Sequence, residues 1–140
     1  MTRTAKQIQG DIYNLLKTSI IADEISGGVY RSGYRPRDSQ AEDAVVIFTS
    51  GLTNQIQTGV ITVHVYIPDI DPYDNGVMVE NGARAETLET LAQQWVDGLT
   101  TAVSSYRFRL QQTICTEAAE EINQHYIVIA LKYEYYDGTN

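Results

Sequence analysis

The chain has 140 residues, of which 43% are hydrophobic and 20% are charged, and its formal net charge is −8 at pH 7. This length fits one domain, residues 1–140, that can bury a core without metals or disulfides, and the composition excludes a disordered chain. The acidic charge disfavours sequence-independent binding to nucleic acid or an anionic membrane, and no apolar run approaches the ~20 residues that cross a bilayer.

The first predicted element is a helix that begins after Thr4. Thr4 and Gln7 have the spacing of a capping box, in which each side chain accepts a hydrogen bond from the other residue's backbone N–H. Apolar residues recur at three- and four-residue spacing, which places them on one helix face: Ile8, Ile12, Leu15, Leu16 and Ile20. We expect one helix that fades near residues 23–26, before Gly27 and Gly28 stop it.

Three strands are predicted next, at residues 29–34, 43–49 and 55–67. The first is short because Pro36 cannot continue a central strand. The second and third are separated by turn-forming residues and predict a β-hairpin. Period-two alternation in the third strand assigns four residues to the core face: Ile61, Val63, Val65 and Ile67.

The charged segment between the first two strands is a candidate binding loop. It is too charged for the core and too closely flanked by strands for a free linker, so we expect it to be fixed on the sheet, where binding groups tend to lie. Its mixed signs favour contacts between subunits over phosphate capture. The alternative is a solvated loop with internal ion pairs. The candidate interface residues are Arg31, Arg35, Arg37, Asp38, Glu42 and Asp43.

A second candidate is the connection at residues 68–82, which is longer than the usual ~4–6 residues and predicts function or mobility. We predict that it contacts a partner through Asp69, Asp71, Tyr73 and Asp74. Its acidic spacing partly resembles a calcium loop, but Tyr73 occupies the fifth position and Asp74 stands where glycine is needed. The alternative is an acidic turn without a ligand.

The second half predicts a helix at about residues 83–104, then strands at 106–116 and 124–136. Period-two alternation assigns Ile127, Ile129, Leu131, Tyr133 and Tyr135 to one face of the last strand. Tyrosine suits half-wet interfaces and a terminal strand has exposed backbone, so this end is a candidate subunit contact. Its candidate residues are Tyr133, Tyr135 and Tyr136.

The predicted fold class is α+β. The order of elements is α-β-β-β-α-β-β, which indicates a mainly antiparallel sheet of about five strands with two helices packed on one face. No chemistry of an enzyme is recognised: His64 and His125 lack a second ligand at metal spacing, and the chain has no G-x-S-x-G, Walker or G-x-G-x-x-G motif. We predict no catalytic, cofactor-binding or metal site, and no enzymatic activity.

Two runs of the sequence resemble a known family. The first is Val29-Tyr30-Arg31, Gly33, Arg35-Pro36, Asp38-Ser39, Glu42-Asp43 and Val45-Val46, and the second is Gln55-Ile56-Gln57-Thr58-Gly59-Val60. Both are similar to tail terminator or tail completion (minor tail) proteins of long-tailed phages, here from a prophage, as is the order of elements. The resemblance implies a non-enzymatic α+β subunit of a ring, typically a hexamer, that caps the tail tube and offers a surface for head joining.

The resemblance also implies the partners and the location. The partners are further copies of the chain, the tail-tube protein and a head-completion or connector protein, in the host cytoplasm during assembly and then in the virion. DNA passes through such a ring without specific binding, and a negative lumen suits that passage; no membrane is involved. Two alternatives stay open: a head-completion or connector component, and a monomeric or dimeric ligand-binding module with a pocket between sheet and helices.

Overall fold

The computed structural model describes residues 2–102 and 105–136 and has α+β architecture, with helices packed on a mixed sheet, which confirms the predicted class. The helices are α1 (Ala5–Lys17), α2 (Ile20–Glu24) and α3 (Gly82–Ala102), with a 3-10 turn at Glu120–Ile122. The strands are β1 (Val29–Arg31), β2 (Ala44–Leu52), β3 (Gln57–Pro68), β4 (Tyr106–Leu110), β5 (Cys115–Ala119) and β6 (Gln124–Tyr135).

The sheet has the order β1-β2-β3-β6-β4, and β5 also pairs with β6. Strand β6 pairs with β3 along one edge. Along its other edge it pairs with β4 over its C-terminal half and with β5 over its N-terminal half. These pairs and β2–β3 are antiparallel, as predicted, whereas β1 pairs with β2 in parallel. The last strand in the sequence therefore lies in the middle of the sheet.

The strand predicted at residues 106–116 is two strands, so the sheet has six strands instead of about five. Gln111 still donates its N–H to the carbonyl of Ala130 at 2.8 Å. The chain then leaves the ladder, and Ile114 is buried in the core. The alternation of side chains in the sequence does not reveal this break, because β4 and β5 both pair with the same strand, β6.

The first predicted helix is also two helices. Ser19 separates them: its hydroxyl donates to the carbonyl of Leu16 at 2.6 Å and accepts from the N–H of Ala22 at 3.2 Å. It therefore satisfies groups at the end of α1 and at the start of α2. The capping box at Thr4 and Gln7 is confirmed.

The core lies between the helices and one face of the sheet. The predicted core positions of β3 are confirmed, since Ile61 and Val63 are fully buried, and Ile127 and Ile129, which were predicted to share one face of the last strand, are fully buried as well. The helices contribute the following buried side chains to the same cluster: Ile8, Ile12, Leu16, Ile21, Leu88, Ala92, Trp95, Val96 and Leu99. The other side of the sheet, which we call the open face, carries Val45, Val128 and Ala130 outside that cluster.

The neighbours of Gly59 in the sheet leave no room for a side chain at this position. A Cβ atom there would lie 2.1 Å from the carbonyl oxygen of Ser50 and 2.6 Å from the hydroxyl of Tyr133. Overpacking of this kind costs about 1–3 kcal/mol, so we expect Gly59→Ala to lower the free energy of unfolding by that amount in urea denaturation. A Cβ at Gly98 in α3 would meet nothing within 4 Å, so Gly98→Ala is expected to raise the free energy of unfolding by up to about 1 kcal/mol. Equal stability of the two variants would contradict this packing.

Candidate functional site

The charged segment between β1 and β2 is held by a buried carboxylate. Asp43 is 1% exposed and accepts hydrogen bonds from Arg35 Nε at 2.8 Å, Ser39 Oγ at 2.6 Å and the N–H of Gly28 at 2.9 Å. Burial alone raises the pKa of Asp43, but the hydrogen bonds from Ser39, Gly28 and Arg35 outweigh burial and lower that pKa. The segment is thus fixed on the sheet.

Arg35 extends this anchor across one end of the open face. Its Nη2 donates to Gln124 Oε1 at 2.9 Å, and Gln124 Nε2 donates to the carbonyl of Ser39 at 2.8 Å. The guanidinium lies over the ring of Tyr66, 4.0 Å from its centroid, in a cation–π contact. The loop therefore covers this end of the sheet.

Glu42 ties the same loop to the helices. Its carboxylate accepts from Arg84 Nε at 2.7 Å and Nη2 at 2.9 Å, and these hydrogen bonds lower the pKa of Glu42. Arg84 also pairs with Glu24 at 3.4 Å. Arg84, at the start of α3, was not among the predicted site residues.

Four of the six predicted interface residues of this segment bond inside the subunit, and three of them, Arg35, Glu42 and Asp43, do so through the ion pairs above. Arg31 also turns inward, because its guanidinium donates to the carbonyl of Lys6. Arg37 and Asp38 are exposed. The loop therefore matches the alternative of internal ion pairs at these positions, whereas residues 32–34, 36–38 and 40 are exposed to solvent.

The three C-terminal tyrosines have different surroundings. Tyr133 is 2% exposed and belongs to the core. Tyr135 is half-buried, with its ring 4.8 Å from that of Tyr106. Tyr136 is exposed and follows the end of β6. Of the three predicted contact residues, Tyr136 is therefore the one that a partner can reach without rearrangement.

An aromatic cluster lies at the middle of the open face. His64 is 4.5 Å from Tyr126 and 6.3 Å from Tyr66 between ring centroids, and the two tyrosines are 5.5 Å apart. Burial lowers the pKa of His64, and the negative charge of Glu117 opposes that effect. The neutral imidazole is the form that this cluster accommodates.

Acid is expected to destabilise the protein through His64. The unfolded chain takes up this proton near pH 6.5, whereas the folded chain with its lowered pKa resists it. The free energy of unfolding therefore falls as pH drops through about 6.5. We expect His64→Gln to remove this part of the slope between about pH 7.5 and about pH 5.5 in urea denaturation. His125→Gln is the control that keeps His64. An unchanged slope in His64→Gln would contradict the expectation.

A group of cations lies at the far end of the open face, where β3 begins. Arg109 is directly opposite Lys132, and Arg107 is opposite Glu134. The three basic side chains are exposed and line a surface cleft of about 410 Å³, together with Thr58 and Val60. We call this cleft the basic trough. It holds three of the chain's ten Lys and Arg residues, so it is positive although the protein is strongly acidic.

The connection after β3 is a folded loop, residues 69–81, which we call the acidic arm. Ile70 and Val79 form an antiparallel bridge with two backbone hydrogen bonds of 2.9 Å. The Asp71 carboxylate accepts from the N–H groups of Asn75 at 3.1 Å and Gly76 at 2.9 Å. The arm exposes large apolar side chains: Ile70, Tyr73, Val77, Met78 and Val79.

The predicted residues of this connection have separate roles. Asp69 contacts His125 Nδ1 at 2.7 Å, and Asp71 closes the turn. Tyr73 and Asp74 are exposed, and Asp74 has a φ of 52°. The apolar run Val77–Val79 was not predicted as a contact surface. Its signal in the sequence is three uncharged apolar residues in a row, directly after Gly76. Arg107 and Arg109 are two residues apart in a strand and therefore lie on the same face, which was a similar signal for the basic trough.

Within residues 2–102 and 105–136, no group of three or more His, Cys, Asp or Glu residues is placed to hold a metal ion. Across the same residues, none of the helices combines the length and apolar character that a membrane span needs.

Comparison with known proteins gives the fold alone. No family model matches the chain, and no curated protein matches it. Seven chains of solved structures do match. One of them aligns with 96% of this chain and 98% of its own length, with a TM-score of 0.50 and 14% sequence identity. At that identity the likeness extends to the arrangement of helices and strands and no further.

Proposed function

We propose that this protein is a non-enzymatic structural subunit of a phage tail or neck. Copies of it form a ring that caps the tail tube and helps to join the tail to the head. The phage assignment is supported by the sequence resemblance of residues 29–46 and 55–60. The virion is then its final location, and the host cytoplasm is where it assembles.

The observation that carries the assembly role is the acidic arm. The arm carries five apolar side chains that are partly or largely exposed, on a loop that its own hydrogen bonds fix, and exposed apolar patches mark interaction sites. A fixed loop also loses little conformational entropy when it binds. The partners of the proposed ring are further copies, the tail-tube protein and a head-completion or connector protein.

The charge of the protein fits passage of DNA through such a ring. With a net charge of −8, an assembly of several copies repels the phosphate backbone over most of its surface. DNA then passes the ring without being specifically bound. The lumen is a property of the assembled ring and not of one subunit.

The competing function is a ligand-binding module, and one observation favours it. The cleft of about 410 Å³ at the basic trough falls within the size range of small-molecule sites, and its cations suit an anion. It lies on the open face, however, and not between sheet and helices as this alternative predicted. This hypothesis predicts a monomer or dimer that binds a small anionic ligand. A head-completion or connector component differs from a tail terminator only in the virion part that it meets.

Assembly and tube capping test the proposal. The wild-type chain is measured by size-exclusion chromatography with light scattering over increasing concentration, alone and with the tail-tube protein encoded by the same prophage. We expect a closed oligomer, and we expect the protein to halt elongation of purified tail tubes. A monomer under every condition, with tubes that elongate freely, would overturn the proposal. An oligomer that leaves tube growth unchanged but binds a connector ring would indicate the neck.

A further inference from the structure

We propose that the basic trough of one copy receives the acidic arm of the next copy. This inference rests on the proposed function, since it names the contact by which the subunits join. It assigns a role to Arg107, Arg109 and Lys132, which lie outside every surface that the sequence indicated.

Charge complementarity supports this pairing. The arm contains four carboxylates and no basic residue: Asp69, Asp71, Asp74 and Glu80. Of these, Asp74 and Glu80 are exposed. The trough presents three exposed cations against the single carboxylate of Glu134. Opposite potentials across an interface select the correct partner and suppress others, and a neighbouring acidic surface is what this positive cleft attracts.

The apolar side chains of the two surfaces are also matched. Val60 lies in the floor of the trough, and Leu52, directly opposite Thr58 in the sheet, is 68% exposed at its margin. Tyr73 of the arm is 80% exposed. Contact between these groups would give an apolar centre with charged groups around it, which is the usual anatomy of an interface.

The positions of the two surfaces require a second copy. The trough lies where β3 begins, and the arm follows where β3 ends. Val60, the trough residue of β3 nearest to the arm, lies eight residues before Pro68, so the strand separates the two surfaces by about 26 Å at ~3.3 Å per residue. The arm cannot reach its own trough across that length. A contact between different patches of identical subunits is heterologous, and it produces a ring when its rotation closes.

Charge reversal on each side tests the pairing. The trough variant carries Arg109→Glu and Lys132→Glu, and the arm variant carries Asp74→Lys and Glu80→Lys. Each reversal creates like-charge repulsion, so each variant alone is expected to assemble about 10- to 100-fold more weakly than wild type. A one-to-one mixture is expected to recover assembly, because every contact between unlike variants again joins opposite charges.

Two controls separate this contact from general effects. Lys6→Glu with Lys17→Glu makes the same change in net charge at exposed positions outside the trough and outside the predicted interface residues, and it is expected to assemble like wild type. Because Asp74 has a positive φ, Glu80→Lys is also made alone, and circular dichroism checks that all variants are folded. Light scattering reports the mass of each sample and mixture.

The outcomes distinguish this inference from the proposed function. Loss in both reversed variants with recovery in the mixture supports the contact. A wild-type oligomer that survives both reversals, or a mixture that does not recover, overturns the contact and leaves ring assembly intact. A wild-type monomer under all conditions, with or without tail-tube protein, overturns both.

Discussion

Replacing Tyr133 with alanine is expected to lower the free energy of unfolding by about 3–5 kcal/mol, as for other buried aromatic residues. The side chain is 2% exposed, and its ring meets that of Tyr106 edge to face at 6.4 Å. Its hydroxyl fills the space above Gly51 and Gly59, where a Cβ would approach it to 2.6 Å. Removal of the ring therefore leaves a cavity between β3, β6 and β4. Urea denaturation followed by Trp95 fluorescence measures the loss.

Two variants show that the loss comes from core packing. The hydroxyl of Tyr133 is 3.5 Å from the carbonyl oxygen of Ser50, at the limit of a hydrogen bond, so Tyr133→Phe is expected to cost less than about 1 kcal/mol. Tyr136 is exposed, and Tyr136→Ala is expected to stay within about 0.5 kcal/mol of wild type. A Tyr133→Ala protein as stable as Tyr136→Ala would contradict the buried position.

Replacing Asp43 with alanine is expected to lower the free energy of unfolding by about 3–5 kcal/mol, because the substitution removes one partner of a buried ion pair. Arg35, Ser39 and the N–H of Gly28 all donate to this carboxylate. Without it, the guanidinium remains largely buried without its counter-charge, and the loop across the open face loses its anchor. The free energy of unfolding in urea at neutral pH gives the size of the effect.

The neighbouring Asp38 provides the matched control. It belongs to the same loop but is exposed, so Asp38→Ala is expected to change stability by less than about 0.5 kcal/mol. The lowered pKa of Asp43 adds a second signature. Its stabilisation is present above about pH 3.9, the value of an unfolded aspartate, and is lost as pH falls through the lower folded pKa. Asp43→Ala is expected to lack that acid-side loss, and equal effects of the two alanine variants would refute the anchor.

The features that depend on residues close together along the chain could be predicted from the sequence. The capping box at Thr4 and Gln7 is set by residues three apart, and it is confirmed. The core faces of β3 and β6 follow from alternation alone, because a strand turns successive side chains to opposite sides. These local rules also gave the class of the fold.

Contacts between residues that lie far apart along the chain could not be predicted from the sequence. Arg35 meets Gln124 across 89 positions, and Glu42 meets Arg84 across 42, so nothing near either residue indicates an internal role. The parallel pairing of β1 with β2 and the division of β4 from β5 likewise depend on which strand lies alongside. The basic trough forms only when β4 is placed beside β6, which brings Arg109 next to Lys132.

The central position of the last strand has a consequence for synthesis. Strands β2 and β3 emerge from the ribosome well before β6, and the chain carries no Asp, Glu, Lys or Arg from Ala44 to Pro68. At about 5–20 residues per second, roughly 3–13 s separate Pro68 from Tyr135, and β3 lacks its β6 neighbour for all of that time. Charged residues normally protect an open strand edge from wrong pairing, and this nascent hairpin has none, so we expect the growing chain to depend on chaperones until β6 arrives.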